Sequence, residues 1–299
     1  MMKQSVPLLA VLAAAALLLL RPEAASRAVG DGLALCANTV IPALFPFFAV
    51  VSLLLQLGLA GSLQGLCAPF MGPVFHLRGV CALPLLTGLL GGYPSGARTA
   101  ADLCRQGLLT RREAELLLGF CDNCGPGFLL GYVGAGILGS ARAGAYLFLI
   151  HVCSALLVGM VLCRLCGDRG SALLGSSLPA RVIPFPQALT AAVSGALAST
   201  LSICAFVVLF RVLAALPPVR LPAPLLGVLE MVTGTAAIAP GRAGFIAAAV
   251  MVGWGGLSVH CQAMAVAAPA ELSFRWHWIG KALQAALSGL LAAALWPVI

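Results

Sequence analysis

The sequence predicts an all-α membrane protein, an inverted-repeat bundle with two re-entrant helical hairpins and two broken transmembrane helices. Three observations predict it. Hydrophobic residues make up 61% of the 299-residue chain and charged ones only 9%, where soluble domains carry about 25% charged residues. The apolar residues gather into long runs parted by short basic loops. Four apolar pieces are cut short or interrupted by glycine, proline and polar residues, in the same order in both halves of the chain. Such a composition excludes intrinsic disorder, which needs polar, charge-rich chains. The net charge is +8, from 17 Lys+Arg against 9 Asp+Glu. These cations are spread singly or in pairs through loops, as topology determinants are, and they form no nucleic-acid-binding face.

Residues 1–27 are expected to form an N-terminal membrane helix, with an apolar run at 6–20 between Lys3 and Arg21-Pro22-Glu23. A cleaved signal peptide would look similar; a retained helix is preferred because the later segments insert without a leader. The first repeat covers 28–166 and opens with a span at 33–59 carrying Asn38-Thr39. A hairpin at 80–104 follows. Its first arm, 80–92, rises only about 20 Å as a helix, and Pro94 among glycines breaks it there. Next come a helix at 113–138, broken at Cys121-Asp122-Asn123-Cys124-Gly125-Pro126-Gly127, and a span at 143–163.

The Gly- and Ser-rich stretch 167–181 reads as a linker. The second repeat, 182–299, starts with a span at 187–213 carrying Ser199-Thr200. It continues with a hairpin at 225–240 that contains Thr233-Gly234, then a helix at 244–267 broken between Gly253 and His260. A final span at 278–298 follows Phe274-Arg275-Trp276-His277-Trp278, a cluster suited to the headgroup level. Three spans per half invert the second half relative to the first. With the N-terminus cytoplasmic, ten loop cations, Lys281 among them, fall on that side and six on the other.

Broken helices at mid-membrane leave amide and carbonyl groups unpaired and point half-dipoles at one place, which is how secondary transporters build solute and ion sites. The candidate substrate-binding residues are therefore the polar side chains at the four interruptions: Ser95, Asn123, Glu230, Thr233, Ser258 and Gln262. Glu230, Asp122 and His260 are candidates for a coupling ion (Na⁺ or H⁺), since ionisable groups at membrane depth cost at least about 2.5–3.5 kcal/mol by insertion scales and are read as functional. Each has a plainer alternative. Glu230 could be a carboxyl bonded to nearby backbone, Asp122 a cap for the half-helix after it, and His260 a hydrogen-bonded packing residue. His151 reads as packing. No nucleophile–base set, GxSxG, HExxH or phosphate loop is present, so no catalytic residue is assigned. Neither Cys121–Cys124 nor Cys163–Cys166 has the second ligand pair that a metal site needs, and no cofactor is expected.

Five blocks, 40–47, 91–97, 109–115, 123–128 and 254–262, resemble the YlbJ-type sporulation integral membrane proteins (stage V sporulation protein V) of the nucleoside-recognition or gate-domain group. The most specific are Gly91-Gly92-Tyr93-Pro94-Ser95-Gly96 and Gly255-Gly256-Leu257-Ser258-Val259-His260-Cys261-Gln262. The resemblance implies a fold similar to concentrative nucleoside transporters, with self-association suggested by those relatives. It also implies a multi-pass protein of the outer forespore membrane that passes dipicolinic acid during sporulation. A membrane scaffold for spore-envelope assembly, carrying no solute, is the alternative.

Overall fold

The computed structural model describes residues 2–54, 56–57, 60–166, 184–217, 219 and 221–298; the expected linker at 167–181 lies outside the described residues. Every regular element among them is helical. Among the described residues, four helical segments are long and apolar enough to cross a membrane: Ala141–Cys166, Phe185–Ala215, Arg242–Ala270 and Arg275–Val298. Two bent pairs, Pro22–Val40 with Leu44–Leu54 and Gly65–Phe75 with Gly79–Gly91, raise the number to six if each is one span. The chain is an integral membrane protein.

Helices α1 (Met2–Leu20) and α2 (Pro22–Leu35) lead through a π-helical turn, Cys36–Val40, into α3 (Ile41–Leu54). α4 (Ala60–Phe70) turns through Met71–Phe75 and Gly79–Cys81 into the first hairpin, α5 (Ala82–Gly91) and α6 (Ser95–Arg105), whose arms pack together. The helix expected at 113–138 is broken over a wide stretch. α7 (Arg111–Leu117) ends early, residues 118–125 are non-helical or turn, and helix resumes at Pro126, leading into a π-helix at Gly127–Ile137. A capping box at Thr110 and Glu113 starts α7, and Arg78 holds Glu113 by two bonds of 2.7 and 2.5 Å. α8 (Ala141–Cys166) is unbroken.

In the second half, α9 (Phe185–Ala215) is one long helix. α10 (Ala223–Leu229) and α11 (Met231–Ala236) form a hairpin with Glu230 extended between them. α12 (Arg242–Trp254) and α13 (Gly256–Ala267) are parted by Gly255 and Gly256, at φ +90° and +82°, a region where only glycine is unstrained. α14 (Arg275–Leu295) closes the fold. A hairpin, a broken helix and a long helix follow in that order in both halves; one long helix precedes them in the second half, and the bent pair α2–α3 with α4 in the first.

α9 illustrates why these sequences sit in lipid. It buries Ala188, Ala192, Ala196, Thr200, Ile203, Val207 and Phe210 at helical spacing, while Leu189, Val193, Leu197, Leu201 and Leu209 face outward. A helix apolar on both faces has no water-facing side. The small residues of its buried face let α2 and α3 approach closely.

Candidate functional site

The two halves join at their breaks. A Cβ on Gly92, at the tip of the first hairpin, would lie 3.1 Å from the Gly125 amide nitrogen in the first broken helix. In the second half a Cβ on Gly256 would lie 3.0 Å from the Met231 amide nitrogen at the tip of the second hairpin. Each hairpin tip therefore meets the break of the following helix, backbone against backbone. Tyr93 Oη bonds the Val252 carbonyl at 3.3 Å, and Tyr132 Oη bonds that of Val232 at 3.3 Å, linking the first-half break elements to the second.

All four interruptions border one narrow cleft with a free volume of about 30 Å³, on the scale of a single water. Gly92 and Tyr93 come from the first hairpin, Cys124 and Gly125 from the first broken helix, Glu230 from the second hairpin, and Val259 and Gln262 from the second broken helix. Leu44, Phe48 and Ile203 complete an otherwise apolar lining.

Two more open cavities flank it. The first, about 380 Å³, is lined by Ser52, Gln56, Thr87, Ser95, Arg98 and Ser199 among others. The second, about 530 Å³, holds Arg21, Arg27, Asp31, Arg211 and Thr233. Along α9 the order is Gly195 and Ser199, then Ile203, then Arg211 and Ala214, so the cleft lies between the two. From Gly195 to Ala214 the helix rises about 29 Å, close to the thickness of a bilayer's hydrocarbon core.

The sequence-derived candidates distribute unevenly over this geometry. Glu230 and Gln262 line the cleft. Glu230 is buried and caps α11, accepting from the Val232 and Thr233 amides at 2.9 and 2.6 Å. Ser258 and Gln262 are buried, and Ser258 Oγ and Gln262 Oε1 have no hydrogen-bond partner. Leaving such an atom dry costs about 1–3 kcal/mol, so each is suited to a solute or a water. Ser95 lines the first open cavity and bonds back to the Gly91 carbonyl at 3.4 Å. Thr233 borders the other cavity.

Asn123 is fully buried behind the cleft with both amide atoms engaged: Nδ2 donates to the Phe120 carbonyl at 2.7 Å and Oδ1 accepts from Gln284 at 3.0 Å. Asp122 does not cap the half-helix after it. The next helical residue is Pro126, three residues beyond Asn123. Asp122 Oδ1 instead accepts from Ala97 near the start of α6 at 3.4 Å, and Oδ2 is buried without a partner. His260 Nδ1 lies 2.8 Å from His277 Nε2.

A set of residues escaped the sequence reading. α14 presents His277, Lys281, Gln284 and Ser288, all fully buried, to the first broken helix and α8. Their spacing of four, three and four is one helical face, and that periodicity was the available signal. His277 is accordingly no headgroup anchor. Its Nδ1 bonds the Leu118 carbonyl at 3.1 Å. Lys281 is no loop cation: its ammonium donates to the Asp122 carbonyl, to Tyr93 Oη at 3.3 Å and to Gln284 Oε1 at 2.9 Å. Ser288 Oγ meets Ser154 Oγ at 2.7 Å. His151, beyond packing, accepts from the Cys124 amide through Nε2 at 3.0 Å. The unwound stretch 118–125 thus finds partners for carbonyls and amides in α14 and α8, as buried backbone must.

No solved structure matches the chain. It is similar to the sporulation integral membrane protein YlbJ of Bacillus subtilis (strain 168), with 26% identity over 323 aligned positions that take in 92% of this chain and 78% of that protein. Residues 37–216, from the first bent span through α9, match the family described as Gate: Nucleoside recognition, and the chain belongs to that family.

Proposed function

We propose that the protein is a multi-pass transporter of a small anionic or nucleoside-like solute, working by alternating access, with dipicolinic acid passing the outer forespore membrane during sporulation as the leading substrate. The observation that carries this reading is the row of three cavities along α9, with the narrow cleft between two open ones about 29 Å apart end to end. A solute path needs openings at both faces and a constriction between them, where two sets of elements can rock against each other. The repeated element order supports two halves, 28–166 and 182–299, related by inversion. The charge of the open cavities supports an anion. One holds Arg98; the other holds Arg21, Arg27 and Arg211 against Asp31.

In this reading Glu230, Ser258 and Gln262 contact the solute, Ser95 and Thr233 stand at the approaches from either side, and Asn123 shapes the cleft from behind. Asp122 and His260 are the remaining ionisable groups for coupling. A small planar dicarboxylate suits amide and hydroxyl donors of this kind. The test is uptake of labelled dipicolinate and of a nucleoside into proteoliposomes. Wild type should accumulate one of them above protein-free vesicles, and Ser258→Ala with Gln262→Leu should lower the rate by roughly tenfold, as loss of a buried polar contact does. Absence of uptake of any small solute, with break residues tolerant of apolar replacement, would favour the scaffold instead.

A further inference from the structure

Lys281 is fully buried in α14, and the oxygens around its Nζ belong to three different elements. They are the Asp122 backbone carbonyl at the first break, Tyr93 Oη at the tip of the first hairpin, and Gln284 Oε1 one turn further along α14. The Asp122 carboxylate, one oxygen of which has no partner, is close enough to interact with Lys281 electrostatically.

The donor directions around this cage are determined. The Asp122 carbonyl and Gln284 Oε1 can only accept, and the Tyr93 hydroxyl is committed as a donor to the Val252 carbonyl. Three acceptors match the three N–H bonds of an ammonium, whereas a neutral amine would bury an unmatched lone pair. The chain of donors runs on without conflict: Gln284 Nε2 to Asn123 Oδ1, then Asn123 Nδ2 to the Phe120 carbonyl.

A carbonyl, a hydroxyl, an amide oxygen and a nearby carboxylate at an unwound helix are the oxygen ligands that a hard monovalent cation takes at a discontinuous helix. We propose that the Lys281 ammonium is a tethered cation occupying this cage, so that the first break is held together by a charge of the chain itself and neither folding nor transport draws on sodium there. The inference rests on the transporter reading for its meaning in the cycle, and on the cage alone for its test. Tyr93 carries the arrangement to the cleft. Its ring lies under Nζ at 5.0 Å to the centroid, and the same residue lines the cleft wall. A fixed positive charge behind that wall opposes a second cation and favours an anionic solute.

The experiment compares thermal unfolding of the purified full chain in detergent, in sodium chloride and in choline chloride of equal ionic strength, for wild type and Lys281→Ala. The wild type should unfold at the same midpoint in both salts. In the variant the vacated oxygens should take sodium, raising its midpoint by roughly 3 °C or more over choline. A sodium response in the wild type, or none in the variant, overturns the assignment. Should the variant fold poorly, recovery from membranes in the two salts becomes the readout. Recovery in sodium alone supports the tethered cation, and equal loss in both overturns it. Lack of solute uptake by the wild type would sink the transporter reading while leaving these arms to decide the cage.

Discussion

His260 Nδ1 and His277 Nε2 meet at 2.8 Å between α13 and α14, and this one contact sets the tautomers of both rings. The Leu118 carbonyl can only accept, so His277 donates to it from Nδ1 and offers Nε2 as an acceptor. His260 therefore donates from Nδ1, and its Nε2 is left as a buried lone pair with no partner. Nitrogen-15 spectra of histidine-labelled protein in nanodiscs should show both rings as the Nδ1–H tautomer. A protonated His260 Nε2 would contradict the chain of donors from α13 to the first break.

The approach of the first hairpin to the first break depends on two missing side chains. A Cβ on Gly88 would lie 1.7 Å from the Cys121 carbonyl oxygen, and one on Gly96 would lie 2.1 Å from it. Gly88→Ala and Gly96→Ala should each destabilise by ~1–3 kcal/mol, the usual scale of overpacking. Gly30→Ala, with nothing within 4 Å, should be neutral or slightly stabilising. Thermal unfolding in detergent separates the two outcomes. Wild-type stability in the two hairpin variants would show that α5 and α6 do not rest on the break.

Gln284 joins Lys281 to Asn123, so it should be energetically coupled to each of them. Gln284→Ala should cost about 1–3 kcal/mol by leaving buried groups unpaired. A double-mutant cycle of Gln284→Ala and Asn123→Ala should return an interaction energy of about 0.5–3 kcal/mol. Simple additivity would mean that the contact carries no energy of its own.

The Arg78–Glu113 pair ties the turn after α4 to the start of α7, with both side chains mostly buried and bonds of 2.7 and 2.5 Å. Arg78→Met takes the guanidinium away from a carboxylate that also accepts from Thr110. It should destabilise by roughly 3–5 kcal/mol, as removal of one partner from a buried pair does, and Arg78→Met with Glu113→Gln should recover part of the loss. An unfolding midpoint unchanged in Arg78→Met would remove the pair from the stability of the bundle.

If the cavities along α9 are the two ends of a path, single cysteines at Ser199 and Ala214 in a cysteine-free background should react with a membrane-impermeant thiol reagent from opposite sides. Solute should slow labelling at a cysteine replacing Ile203, which faces the cleft between them. Labelling of Ser199→Cys and Ala214→Cys from the same side would rule out that path.

The primary sequence determined the solvent, the helical class and several of the places where helices stop, while α4 and the bend between α2 and α3 were not read from it. An excess of apolar residues over charge admits only the bilayer, and there a backbone without water must be helical or shielded. Gly92 to Pro94, the stretch after Cys121, and Gly255 with Gly256 cannot continue a helix at low cost, so the interruptions could be read residue by residue. Glu230 was legible for a related reason, since a carboxylate at that depth needs a purpose.

What only the tertiary structure decided is which groups answer the interruptions. Asn123 looked like a residue facing solute and is held from behind by Gln284. His277 and Lys281 looked like interface residues and are fully buried. A polar side chain near the end of an apolar run reads the same whether it snorkels to headgroups or turns inward. The choice depends on whether another segment, here residues 118–125, brings unpaired carbonyls within its reach, and that is a property of the packed bundle.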